Sequence, residues 1–249
     1  MLRVWGGWFA CLLAFSAPLA ARDSEPLTLA KGARIGVISL VDPEATHFHA
    51  AKAIKDSFLK TATVAWAVDT MLTEALKDRM SQMGLVLVPL GVTDELDRTR
   101  EDCFLNGSFL KSLPKECILP FRHTIGNEHV DAVIVLAPGI NNSTHAGGAR
   151  RKDLPDYLRG WGFVTGDPVA PGKPVLFNMT ELLLVAPTPE GPALRGREWG
   201  GSYSLEWTNF SPPADLKDIP PQDLNQLQPL FAGILSRQTG RLLDQLQVR

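Results

Sequence analysis

Apolar residues run without interruption through residues 33–41, ARIGVISLV, and the run stops at Asp42-Pro43. A β-branched stretch of this length fits a strand buried on both faces. Further on, Val68, Leu72, Ala75, Leu76 and Met83 recur at spacings of three and four, with Asp69, Glu74, Lys77, Asp78 and Gln82 mostly on the other side of the wheel. That pattern predicts an amphipathic helix over residues 66–83, with Gly84 as its C-terminal stop. LVLVPLG (85–91) returns to strand character, and VDAVIVLAPG (130–139) is a second buried strand ending at Pro138-Gly139. A strand, helix, strand order favours a parallel crossover. The intervening HFHAAKAIKDSFLKTATV can be read as a helical stripe of Ala51, Ile54 and Phe58, or as alternation of Phe48, Ala50, Lys52 and Ile54 on a strand, and its periodicity decides for neither.

The second half is less regular. Residues 141–173 are rich in glycine and polar side chains and read as a long loop. The stretch 173–199 reads as two strands around a turn at 187–192, and SYSLEW (202–207) alternates as a half-buried strand. In the tail, Leu224, Leu227, Phe231, Leu235, Leu242 and Leu246 keep near-helical spacing, while Pro229, Gly233 and Gly240 predict a broken helix. The expected fold class is α/β, a mixed, partly parallel sheet flanked by helices.

The first residues change the picture of where this fold works. Arg3, the apolar run 4–17 and the small residues of PLAA before Asp23 have the layout of a cleavable export signal. The expected organisation is therefore a signal peptide over 1–21, then a single domain over 22–249 in the periplasm or outside the cell. The leader's run is shorter than the ~20 residues of a membrane span, and no transmembrane span is expected in the mature chain. Once the leader and Cys11 are removed, Cys103 and Cys117 remain, an even pair at loop-like spacing that predicts one disulfide. A formal net charge of -2 with scattered Lys and Arg argues against nucleic acid as a partner.

This order of elements, with Gly84 after the helix, the strand at 130–135 and the hairpin around Gly191, resembles the small envelope α/β domain in the amino-terminal part of the translocation protein TolB and in the curli secretion lipoprotein CsgG. The resemblance spans about two thirds of the mature chain. It implies a non-enzymatic interaction domain of the cell envelope and carries over no catalytic residue. The chain differs in lacking a following propeller and an evident lipid-modified cysteine.

Three sets of residues are candidates for function. His47 and His49 would share a face on a strand, where with His145, or with Asp42, Glu44, His123 or His129, they could ligate Zn²⁺; the expected fate is a pair of rim residues instead. Ser143 or Thr144 beside His145 offers a hydrolase reading, without a Gly-x-Ser-x-Gly elbow. The preferred reading is that Tyr157, Trp161 and Phe163, with Arg150, Arg151, Lys152 and Arg159, form a docking loop that joins the 199–207 stretch on an envelope protein partner or a glycan, since aromatics and arginines anchor interfaces.

Overall fold

The computed structural model describes residues 26–51, 56–64, 66–105, 113–139, 158–166, 175–200, 205–206 and 219–249. The expected leader lies outside these. In chain order the elements are β1 (Thr28–Leu29), β2 (Arg34–Ser39), β3 (Ala45–Ala50), β4 (Phe58–Ala62), α1 (Val68–Gln82), β5 (Val86–Pro89), α2 (Asp94–Arg100), a π-helical turn (Glu101–Leu105) and α3 (Lys115–Ile125). They continue as β6 (Ala132–Ala137), β7 (Trp161–Gly166), β8 (Val175–Asn178), β9 (Glu181–Ala186), β10 (Ala193–Trp199), β11 (Leu205–Glu206), α4 (Pro221–Leu224), α5 (Leu227–Leu243) and β12 (Gln247–Val248).

The fold is α/β with mixed sheets flanked by helices; among the described residues ten of the twelve strands divide between two five-stranded sheets, and β1 and β12 pair in a sheet of their own. The first has the order β10-β9-β6-β2-β5, with β2 parallel to both β5 and β6 and the β9–β10 hairpin antiparallel. The second has the order β11-β8-β7-β3-β4, parallel only between β3 and β7. In chain order β3 is the strand after β2 and β7 the described strand after β6. Parallel neighbours in one sheet thus become parallel neighbours in the next.

Alternation sorts the side chains. Ile35, Val37, Ile134, Leu136, Leu182 and Leu184 face α1 and α5, and the same core takes Trp161, Phe163 and Leu176 from the second sheet. The opposite face of the first sheet, with Ile38, Val133, Val135, Leu183 and Val185, packs on Leu96, Phe104 and Phe121 of α2, the π turn and α3. The expected disulfide joins Cys103 to Cys117 beneath these helices. The outer face of the second sheet buries Phe48, Val164, Phe177 and Met179. Gln238, fully buried on α5, donates to the carbonyls of Thr180 (3.2 Å) and Glu198 (3.1 Å) and so ties the helix to the first sheet.

Several expectations change. The run 141–173 is not all loop, because β7 lies within it, and β8 belongs to the second sheet and is not part of the hairpin that follows. The ambiguous THFH segment is strand β3. The tail helix α5 is unbroken: Pro229 stands in its first turn, where a backbone N–H has no intrahelical partner to lose, and the chain bends earlier, between α4 and α5. No helix among the described residues is long and apolar enough to cross a membrane.

Glycine is required where the β3–β7 ladder forms. A Cβ on Gly162 would stand 1.9 Å from the Thr46 carbonyl oxygen, whereas one on Gly240 in α5 would meet nothing within 4 Å. Gly162→Ala is expected to destabilise the fold by more than about 2 kcal/mol, and Gly240→Ala to stabilise it by roughly 0.5–1 kcal/mol. Urea unfolding of the two variants checks the contrast.

Candidate functional site

In open α/β sheets, ligands bind outside the carboxyl ends of strands where the chain turns to opposite sides. β2 is such a place. The path to β5 runs over α1 on one face and the path from β5 to β6 runs over α2 and α3 on the other, so β5 and β6 flank β2. A cleft of about 260 Å³ opens at the ends of β2 and β6. Asp42 and Glu44 enter it from the β2–β3 link, Arg159 from just before β7, and Leu59 from β4; Arg100 and Glu101 enter from the junction of α2 with the π turn. π-Helical turns are rare and occur frequently at functional sites.

The charges in the cleft form cross-links. Arg100 lies 2.5 Å from Asp42 and 3.1 Å from Asp97, and also donates to the Leu40 carbonyl. Arg159 pairs with Glu101 at 2.9 Å, both about half exposed. The floor is Trp161, whose indole N–H donates to the Asp42 carbonyl at 3.0 Å. Trp161 also stacks on Phe231 and lies against Trp66, which anchors the cleft in the main core.

This placement corrects the docking-loop expectation. Trp161 and Phe163 are 2% and 0% exposed and are strand residues of the core, because β7 alternates them inward; they offer no surface to a partner. Arg159 does stand at the rim. Arg151 and Tyr157 lie outside the described residues, as do Arg150, Lys152, Ser143, Thr144, His145 and Trp207. Trp199 is partly buried on β10 against the outer core.

The histidines meet a different fate from the one expected. β3 places both rings on one face, and both reach the Thr165 hydroxyl of β7, His47 through Nε2 at 2.8 Å and His49 through Nδ1 at 3.0 Å. His47 is no rim residue: it is fully buried, packed on Phe163 (ring centroids 4.4 Å) with the Phe58 ring against it at 5.0 Å, and its Nδ1 has no hydrogen-bond partner. Phe58 stacks on His49 at 5.1 Å. Among the described residues no third His, Cys, Asp or Glu gathers with them. His123 pairs with Glu95 instead, and the His129 carbonyl accepts from Arg34. Thr165, Phe58 and the π-turn pair Arg100–Glu101 escaped the sequence reading. The alternation of Trp161, Phe163 and Thr165 was the signal that could have found the first.

Burial, then the Lys60 ammonium across the ladder, then His49, hold His47 down to a pKa of about 3 from an ordinary 6.5. No protein family model matches the chain, and no curated protein does. A solved structure, that of the hypothetical protein CT253 from Chlamydia trachomatis, aligns over 84% of this chain and 96% of its own at 12% identity, with a TM-score of 0.31. At that score the similarity bears on neither fold nor function.

Below pH 6.5 the unfolded chain binds a proton at residue 47 that the folded chain refuses until about pH 3. Stability from the neutral ring is therefore complete above pH 6.5 and declines as pH falls through this window, by about 1.4 kcal/mol per unit. Urea unfolding from pH 7 to pH 4 should show a shallower decline for His47→Gln than for the parent.

Proposed function

We propose that this chain is an exported, non-enzymatic binding or assembly protein of the bacterial cell envelope, and that it docks a protein partner at the cleft outside β2 and β6. The observation that carries the reading is the cleft itself, at the topological switch point, with two arginine–carboxylate pairs across it and Arg159 and Leu59 exposed at its rim. Charged groups at a rim, facing those of a partner, select that partner more than they add affinity. The leader-like first residues and the resemblance to envelope domains support the compartment. The alternative, Zn²⁺ on His47, His49 and His145 in a metal-binding protein or hydrolase, would place a cation beside Lys60, whose charge lies close enough to His47 to disfavour its protonated form.

The test uses the full chain expressed with its leader. A photo-crosslinker replaces Leu59 at the cleft or, as control, Leu119, which is 56% exposed on α3. A discrete adduct from position 59 and none from 119 is expected in the periplasmic fraction. Arg159→Glu should reduce it at least about tenfold, the effect of losing about 1.4 kcal/mol of binding. Equal adducts from both positions, an adduct indifferent to Arg159→Glu, or a mature chain confined to the cytosol would overturn the reading.

A further inference from the structure

A sheet that ends in an open strand offers backbone groups to another chain, because every second residue of an edge strand turns its N–H and C=O away from its one neighbour. The two five-stranded sheets have four edges, β10, β5, β11 and β4, and three of them carry features that discourage such pairing. β5 is four residues long and ends in Pro89. β10 has a register shift between Leu194 and Gly196 and bears Arg195, Arg197 and Glu198. β11 is two residues long. β4 differs: its five residues pair with β3 without a register shift, include no proline, and leave Leu59 52% exposed. Among the described residues no strand pairs with its outer edge.

This edge runs into the cleft. β3 and β4 alternate together, so Phe58 and Lys60 share the face of His49 and His47, while Leu59 and Thr61 share the opposite face with Phe48 and Thr46. The same register carried one residue further sets Glu44 beside Thr63, whose hydroxyl donates to the Glu44 carboxylate at 3.5 Å. Glu44, Thr46 and Leu59 all line the cleft. Its other two carboxylates are already paired, Asp42 with Arg100 and Glu101 with Arg159, whereas no ion pair among the described residues engages Glu44. A strand added to β4 would stand about 10 Å from β3, two strand spacings away. A lysine or arginine on it next to Thr63, together with the Glu44 side chain, spans that gap.

We propose that the partner of the cleft contributes an extended segment bearing a lysine or arginine, which adds to β4 as the sixth strand of the second sheet and seats its cation on Glu44. This rests on the docking function proposed for the cleft and specifies the partner: main-chain hydrogen bonds hold the segment, and the cation on Glu44 fixes its register. A second copy of the chain fits less well. Antiparallel pairing through its own β4 would bring Lys60, the single charge on that strand, to the face away from Glu44.

The probe is a capped eight-residue peptide alternating threonine and valine, with one central threonine replaced by lysine, added to the full chain. Hydrogen exchange at the amides of residues 59–62 should slow on binding. Two N-methylated versions, one blocking the N–H of the valines and the other those of the threonines and the lysine, should differ, because an added strand uses only alternate N–H groups: one version loses binding and the other keeps it. Glutamate in place of the lysine should weaken binding about fivefold, and Glu44→Gln should reduce that preference to under about twofold. No binding at about 1 mM peptide, unchanged exchange at β4, equal binding of the two methylated versions, or a lysine preference indifferent to Glu44→Gln overturns the added strand. So does a dimer of the free chain that Leu59→Lys dissociates, which would give the edge to a second copy. The cross-link from position 59 separates the two readings: an adduct that persists when the peptide fails keeps the cleft and removes the strand, and loss of both removes both.

Discussion

The fold depends on one backbone ladder carried across two sheets. β2 and β6 pair in parallel from Ile35–Ala132 to Ser39–Leu136, and the Leu40 amide extends the ladder to the Leu136 carbonyl. In the second sheet the next strand of each, β3 after β2 and β7 after β6, pair in parallel from Thr46–Gly162 to Ala50–Gly166. The Gly160 amide bonds the Gly139 carbonyl across the transition. A shift of one residue in either ladder would turn the buried side chains of the shifted strand to the wrong face.

The cleft opens where β2 and β6 end, and charged residues gather on its wall. Asp42 lies three residues beyond β2 and Arg159 two residues before β7. α2 and the π turn bring Arg100 and Glu101 to the same place from the other face. The disulfide lies two residues beyond Glu101, so the covalent staple secures this wall as well as the core beneath it.

The central pair of the first sheet, β2 and β6, was legible in the sequence because both strands are apolar and β-branched, and α1 was legible because its stripe keeps the spacing of a helix. The second sheet was mostly hidden. β3 carries two histidines and β7 two glycines in six residues, so hydropathy reports neither as strand; what makes them strands is pairing with each other, a partner far away in sequence. The same reason hid the site. Trp161 and Phe163 look like surface anchors beside arginines in a line of text, and only the register of β7 turns them inward. His47 and His49 were recognised as sharing a strand face, but the oxygen that joins them comes from more than a hundred residues away. Pro229 reads as a breaker in the sequence, but in the first turn of α5 it removes no intrahelical hydrogen bond.

The short β1–β12 pair has a mechanical meaning. The two strands run parallel, closed by the Gln247, Lys31 and Arg249 amides on the Leu27, Arg249 and Leu29 carbonyls. A force pulling the chain's flanks apart therefore acts along the ladder and not across it, so these bonds share the load and break together, and the interior stays shielded until they do.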